Sequence, residues 1–215
     1  MNQRFKLCLI SLWVFAAIVY SVGAQASEKA LRSFLEEVNT LNAEFTQRVM
    51  DERGSVLEAS SGVFYLSRPG KFRWDYENPD FDDEQGQQIV ADGESLYFYD
   101  PDLEQVSKRS LENAIAQVPS LLLVMSNSLL DQHFNVQDKG QADALTWVAL
   151  TPKAEDAGYQ KLLIGFLRQK IDTFVLYDGL GNATRLELSN VETNGNIDID
   201  RFVFKVPPNA DLLGE

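Results

Sequence analysis

The segment Ser60–Tyr76, which reads SSGVFYLSRPGKFRWDY, predicts two strands joined by a tight turn. The Pro-Gly pair at 69–70 suits the central positions of a type II turn, because proline fixes φ and glycine accepts a positive φ. After the turn, aromatic residues alternate with charged ones, and a period of two places them on opposite faces of a strand. Phe72, Trp74 and Tyr76 therefore share one face.

Arg68 raises the main question about this segment, because it follows Phe64 and Leu66 on one face of the first strand. If that face is the inner one, Arg68 lies at the rim of an apolar cavity. A guanidinium there keeps its charge and needs acceptors for its N–H groups. The alternative is a surface arginine beside a turn, since most arginines are exposed.

Residues 1–26 have the pattern of a cleaved secretory signal peptide. Arg4 and Lys6 precede the apolar run Leu7–Val22, which is short for a membrane span. The Ala-Gln-Ala sequence at 24–26 then fits the small residues that signal peptidase requires. We predict cleavage after this sequence, and the alternative is an uncleaved anchor.

The predicted exported domain, residues 27–215, contains no cysteine, because Cys8 lies in the signal peptide. It therefore cannot use disulfides and must fold on its apolar core. The full sequence has a formal net charge of −13. Such an acidic chain is a poor candidate for binding nucleic acid or an anionic membrane. The acidity either serves solubility alone or favours basic partners.

The helix signals are few. Ser27 is predicted to cap a helix that begins at Glu28. Apolar residues at helical spacing form one stripe on it, which is typical of a helix packed on a core. The stripe contains Ala30, Leu31, Phe34, Leu35, Val38 and Leu41. A second helix is predicted over Leu111–Gln117, and the apolar run Leu121–Met125 is interpreted as a further helical segment.

The remaining segments resemble strands separated by turn signals. The predicted strands outside the hairpin are 43–49, 88–91, 95–99, 105–108, 134–138, 144–151, 161–167, 171–177, 184–191 and, last, Arg201–Val206. Helices do not alternate regularly with strands, so a parallel nucleotide-binding sheet is not expected. We predict a single α+β domain with about ten antiparallel strands. A sheet of that width curls, and its concave face needs the cover that the helical segments can supply.

Motifs for catalysis are scarce. His133 is the single histidine, and there is neither a G-x-S-x-G motif nor a phosphate-binding glycine loop. A serine nucleophile served by His133 and a pair of glycosidase carboxylates remain open alternatives. The acidic run 80–84 is interpreted as a solvated loop and Asp178–Asn182 as a hairpin loop, each in preference to a calcium site. We predict a binding protein for an apolar ligand, with no enzymatic activity, metal or cofactor.

Several short motifs resemble the LolA family of periplasmic outer-membrane lipoprotein carriers, and their order and spacing cover nearly all of the predicted exported domain. They are Phe45-Thr46-Gln47, Gly62–Leu66, Arg68-Pro69, Phe72-Arg73-Trp74, Ile89–Gly93, Leu96–Val106, Leu150–Lys153 and Phe202-Val203-Phe204 with Pro207-Pro208.

This resemblance implies an incomplete antiparallel β-barrel with a helical lid, whose apolar cavity holds the acyl chains of a lipoprotein in transit. It also implies a monomeric periplasmic chaperone. The family receives cargo from an inner-membrane ABC lipoprotein-release complex and passes it to an outer-membrane acceptor lipoprotein.

The resemblance assigns a role to Arg68, which corresponds to the family's arginine that bonds to the lid backbone and closes the empty cavity. The predicted acyl-chain cavity and lid comprise Leu31, Leu35, Phe45, Phe64, Leu66, Phe72, Trp74 and Leu122.

Two features depart from the family's usual pattern. The loop Phe81–Gly86 is longer and more acidic, which would alter how partners dock. The chain also ends soon after Pro207-Pro208, which puts a C-terminal strand in doubt. Two other functions remain open: a soluble carrier of free fatty acids or other lipids, and an interaction domain with an ordinary filled core.

Overall fold

The computed structural model describes residues 26–78, 85–114 and 119–214. Most of the predicted signal peptide, the acidic run and the end of the second predicted helix lie outside these ranges. Within them, no helix is both long enough and apolar enough to cross a bilayer.

The described residues form one sheet of twelve strands. The strands are β1 Thr40–Met50, β2 Val56–Ser67, β3 Lys71–Glu77, β4 Gln85–Asp92, β5 Ser95–Asp100, β6 Gln105–Ser110, β7 Phe134–Ala142, β8 Leu145–Pro152, β9 Tyr159–Leu167, β10 Lys170–Asp178, β11 Ala183–Thr193 and β12 Asp211–Leu213. Their spatial order is β12-β6-β5-β4-β3-β2-β1-β11-β10-β9-β8-β7. Neighbours are antiparallel, except that β12 runs parallel to β6. The sheet is strongly curved and open, so the barrel is incomplete, as predicted.

Short helical segments accompany the sheet. They are α1 Ala26–Glu37, α2 Leu111–Ala114, α3 Asn127–His133 and the 3₁₀ segments Pro119–Val124 and Ile199–Phe202. We call α1, the 3₁₀ segment Pro119–Val124 and α3 the helical cover. Within it, α1 contacts β7 to β10 and α3, while the 3₁₀ segment contacts β2.

Strands β1 to β11 lie where the sequence predicts them, and the central hairpin has the predicted faces. Phe64 lies opposite Trp74 and Leu66 opposite Phe72 across the β2–β3 pair. These four side chains are buried on the concave side, which we call the inner face. Alternation along the two strands therefore builds the centre of the core.

The turn between β2 and β3 contains the predicted Pro69-Gly70 pair, and the peptide bond between Arg68 and Pro69 is cis. Proline is the residue at which a cis bond is tolerated. Gly70 has the predicted positive φ, at +73°.

The prediction that Ser27 caps the first helix is wrong, because Ser27 lies inside α1 and is fully buried. Its backbone N–H donates to Asp138 Oδ2 at 3.1 Å, and its hydroxyl donates to the Trp147 carbonyl oxygen at 2.7 Å. Asp138, on β7, thus satisfies an N–H in the first turn of α1. A residue distant in sequence takes the capping role that a local pattern assigned to Ser27.

The predicted strand Arg201–Val206 is also wrong. Arg201 and Phe202 belong to a 3₁₀ segment capped by Asp198, whose side chain accepts from Asp200 N–H. The C-terminal segment 199–214 crosses the outer face of the sheet, where Phe204 stacks on Tyr97 with ring centroids 5.0 Å apart. Within this segment Phe202 is buried, and residues 201–206 pair with no strand of the described sheet.

The C-terminal strand that the short terminus placed in doubt is present as β12. Its three residues pair with Gln105, Val106 and Ser107 of β6. The two prolines that precede it lack an N–H, which suits a connection rather than a strand.

We expect Asp138→Ala to lower the free energy of unfolding by about 0.5–1 kcal/mol at pH 7, because it removes the partly exposed carboxylate that accepts an N–H of the first turn of α1. Partial burial opposes ionisation, but hydrogen bonds from Ser27, Gly140 and Glu28 hold the Asp138 pKa below its usual value. The carboxylate therefore stabilises the fold above its unfolded pKa of about 3.9. Urea unfolding from pH 7 to pH 3 should show the difference from wild type shrinking as pH falls through the folded pKa.

The matched control is Asp156→Ala, which removes an exposed carboxylate from the turn between β8 and β9. Its difference from wild type should be close to zero across the same pH range. An Asp138→Ala difference that is independent of pH would contradict the capping role of the carboxylate.

Candidate functional site

The inner face of the curved sheet and the helical cover share one apolar cluster. It contains all eight predicted cavity and lid residues, and each is at most 5% exposed. The sheet contributes Phe45, Phe64, Leu66, Phe72 and Trp74, whereas the cover contributes Leu31, Leu35 and Leu122. The sequence thus identified eight residues that lie together in one buried apolar cluster.

Aromatic rings form the centre of this cluster. The Trp74 ring lies 4.9 Å from the Phe45 ring, edge to face, and 4.3 Å from the Phe64 ring. Tyr76, further along β3, contacts Phe45 at 5.1 Å. Contacts of this kind stabilise a core beyond the burial of area alone.

Gly62 makes room for the ring of Phe45, which lies opposite it in the β1–β2 register. A Cβ at Gly62 would lie 2.9 Å from that ring and 2.0 Å from the carbonyl oxygen of Asp75. Any larger residue would displace Phe45 from its contacts with Trp74 and Tyr76. Gly62 is therefore a packing requirement of the inner face.

Arg68 joins the sheet to the helical cover. Its Nε–H donates to the Val38 carbonyl oxygen at 2.7 Å, and its Nη1–H donates to the Met125 carbonyl oxygen at 2.9 Å. The guanidinium carbon also lies 5.4 Å from the centre of the Phe34 ring. Val38 follows α1 and Met125 follows the 3₁₀ segment. One side chain in the β2–β3 turn thus binds the ends of two of the three segments of the cover.

The Arg68 guanidinium is partly removed from water. Burial lowers the pKa of Arg68 to about 10, so the group remains cationic at neutral pH. Its Nη2 is buried and has no hydrogen-bond partner within the described residues. The alternative of an ordinary surface arginine beside a turn does not fit these contacts.

The outer side of the cover is tied by polar contacts between its helices. Arg32 on α1 donates to Asp131 on α3, with Nη2 to Oδ1 at 2.8 Å. Asn127 Nδ2 donates to Glu36 Oε1 at 2.6 Å. The hydrogen bond to Asp131 raises the pKa of Arg32 and lowers that of Asp131. Exposed pairs of this kind contribute little stability, but they link α1 to α3.

Other candidate sites are less developed. The described residues contain no group of His, Cys, Asp and Glu arranged to hold a metal ion. In the Asp178–Asn182 loop, Asp178 Oδ1 accepts from the N–H groups of Leu180 and Asn182 at 2.8 Å each. The loop is therefore the hairpin connection that the sequence predicted. His133 ends α3, and its carbonyl oxygen accepts from Lys153 N–H.

The sequence did not indicate Val38 and Met125 as partners of Arg68, because they contribute backbone carbonyls. The available signal was their position, since carbonyls at the end of a helical segment lack intrahelical partners. Tyr159, a member of the apolar cluster, was also missed. It lies at the start of β9, where the sequence shows no clear alternation.

Comparison with known proteins gives close matches. The family described as outer membrane lipoprotein carrier protein LolA matches residues 36–205. An outer-membrane lipoprotein carrier protein of Methylococcus capsulatus is 38% identical over 201 residues, covering 94% of this chain and 92% of the relative. A protein of the same name from Dechloromonas aromatica is 36% identical over 215 residues, covering 100% of both chains.

Solved structures share the fold at lower identity. An uncharacterized conserved protein from Thermus thermophilus has a TM-score of 0.55 and 13% identity, covering 87% of this chain and 98% of its own. A LolA superfamily protein from Nitrosomonas europaea has a TM-score of 0.50 and 14% identity, covering 86% and 99%. At these identities the likeness concerns the fold alone.

We expect Arg68→Leu to loosen the helical cover while leaving the sheet intact, because it removes two charge-assisted hydrogen bonds. Amide hydrogen exchange should become about tenfold faster in the 3₁₀ segment and at Met125, and it should stay unchanged in β9. Arg48→Leu is the matched control, since Arg48 is exposed on β1 and pairs with Glu187 at 3.8 Å. Equal exchange at Met125 in wild type and Arg68→Leu would contradict the bridging geometry.

Proposed function

Because the chain belongs to the LolA family of outer membrane lipoprotein carrier proteins, we propose that it carries lipoproteins from the inner membrane to the outer membrane. In this proposal the inner face shields the acyl chains of the cargo during transit. The observation that carries the mechanism is the pair of Arg68 hydrogen bonds that hold a helical cover over an apolar face.

The physical need for a carrier follows from the cost of exposing acyl chains. Each buried methylene contributes about 0.8 kcal/mol, so a triacylated lipoprotein does not cross water unshielded. The inner face offers large apolar side chains from both the sheet and the cover. Entry of acyl chains would replace contacts between the cover and the sheet with contacts to the ligand.

Arg68 would set the balance between closed and open states. Two hydrogen bonds from a charged donor contribute a few kcal/mol at most. These bonds add that amount to the stability of the closed state relative to the open one, and cargo shifts the balance by occupying the interior. Release follows when the cover closes again on its carbonyl contacts.

The setting of this transport is also part of the proposal. The predicted signal peptide supports export to the periplasm, where a monomer would receive cargo from an inner-membrane ABC release complex. It would pass that cargo to an outer-membrane acceptor lipoprotein. The role requires no catalysis by the protein itself.

We predict that Arg68→Leu still binds lipoprotein but releases it poorly, because its closed state no longer competes with the loaded one. The measurement is the rate of lipoprotein transfer to vesicles bearing the acceptor, starting from preloaded protein. Transfer should slow about tenfold or more, and Arg48→Leu should transfer at the wild-type rate. Wild-type transfer by Arg68→Leu would contradict the latch.

Intact mass spectrometry of protein isolated from the periplasm without detergent tests the function itself. Acylated polypeptides bound one to one, and enriched in Arg68→Leu, would support the lipoprotein carrier. Free fatty acids alone would replace it with a general lipid carrier. Empty protein in both samples, also unable to extract lipoprotein from membranes with the release complex, would overturn the proposal.

We predict that Phe72→Glu abolishes most cargo uptake, because it places a charge on the fully buried inner face. Thr46→Glu is the matched control, since it adds the same charge at an exposed position of β1. Uptake is measured on the folded fraction, and Phe72→Leu should restore it. Wild-type uptake by folded Phe72→Glu would show that the cargo binds elsewhere.

A further inference from the structure

Two polar atoms lie in the apolar interior without a partner. Trp74 Nε1 and the Tyr159 hydroxyl oxygen are both buried, and neither has a hydrogen-bond partner within the described residues. The two residues are 5% and 7% exposed, and both belong to the apolar cluster. These donors therefore lie buried in an apolar cluster.

Tyr76 provides a contrast on the same face of β3. Its hydroxyl lies 3.4 Å from Gln47 Oε1, which gives it a polar neighbour. Trp74, two residues earlier, is flanked by the rings of Phe45 and Phe64. A buried polar group on this face can therefore have a polar partner within the described part of the protein, as Tyr76 does and Trp74 does not.

Both groups are available as hydrogen-bond donors, and the tyrosine hydroxyl can also accept. The indole N–H has no acceptor capacity. Burial raises the pKa of Tyr159 to about 12, so its hydroxyl keeps its proton throughout the physiological range. A buried donor without an acceptor is unfavourable, and an alkyl chain provides no acceptor. A ligand that relieves this must bring neutral acceptor oxygens into the apolar interior.

The topology places the two donors in different halves of the curved sheet. Trp74 is on β3 and Tyr159 is on β9, with β2, β1, β11 and β10 between them in the sheet order. Curvature turns both side chains toward one cluster. A ligand in the interior would therefore meet a donor from each half.

We propose that Trp74 Nε1–H and the Tyr159 hydroxyl donate hydrogen bonds to carbonyl oxygens of the linkages that attach acyl chains to the cargo. This inference rests on the proposed function and adds a preference for acyl over alkyl ligands. Carbonyl oxygens of esters and amides are neutral acceptors that accompany long hydrocarbon chains. The two donors thus recognise the linkage between the acyl chain and the rest of the cargo. Hydrophobic burial alone does not distinguish an acyl linkage from an alkyl one.

The test compares two synthetic lipopeptides of equal chain length, one with ester-linked chains and one with ether-linked chains. The ether analogue keeps the hydrocarbon but lacks the carbonyls of the chain linkages, leaving only weakly accepting ether oxygens there. Binding is measured by displacement of an apolar fluorescent probe from the whole exported domain. Wild type should bind the ester about tenfold more tightly, which corresponds to one or two net hydrogen bonds.

The decisive variant is Trp74→Phe combined with Tyr159→Phe, which should bind ester and ether equally. Because the smaller ring affects the binding of both lipopeptides alike, its effect on packing cancels in the ratio of the two affinities. Tyr159→Phe alone removes a single oxygen atom and should reduce the preference about threefold, so it decides the matter if the double variant does not fold. Tyr76→Phe is the matched control and should keep the wild-type preference.

The outcomes separate this inference from the proposed function. Equal binding of ester and ether by wild type, or an unchanged preference in the double variant, would overturn the donor role and leave the carrier function standing. An unchanged preference in Tyr159→Phe would do the same where the double variant is unfolded. Failure of wild type to bind either lipopeptide would overturn both.

Discussion

The helical cover is held to the sheet by a charged donor that needs acceptors in a poorly solvated place. Arg68 finds them at Val38 and Met125, immediately beyond α1 and the 3₁₀ segment. Carbonyls there lack intrahelical partners and lie at the negative end of a helix dipole. The need of a cation for acceptors and the need of helix ends for donors are met by the same two bonds.

The sheet and its cover are stabilised by different kinds of contact. Continuous backbone ladders join each strand to its neighbours, from β12 at one edge to β7 at the other. The cover is attached by apolar packing and by side-chain bonds such as those of Arg68 and Arg32. Regions with few backbone bonds to the rest of a protein open at lower free energy. We therefore expect the cover to open more readily than the inner face of the sheet.

Sequence patterns were sufficient where structure depends on near neighbours. Alternation in β2 and β3 identified the inward residues, and the helical stripe identified Leu31 and Leu35. Patterns failed where distant segments compete for a group. Asp138, 111 positions away, supplies the acceptor for Ser27 N–H. Residues 201–206 form a 3₁₀ segment and an irregular stretch on the outer face of the sheet instead of a strand. The acceptors of Arg68 were not predictable for the same reason, because a backbone carbonyl has no residue-type signature.

The polarity of the interior bears on how a carrier can bind and still release. A charged partner for the ligand inside the apolar cluster would form strong hydrogen bonds, and breaking them would leave a buried charge. Trp74 and Tyr159 offer neutral donors, each contributing only about 1 kcal/mol net. The charged group of Arg68 instead donates hydrogen bonds to the protein's own carbonyls. In the proposed carrier, strong electrostatics would thus favour the closed empty state and the ligand would meet only weak, reversible contacts, which suits a protein that must pass its cargo on.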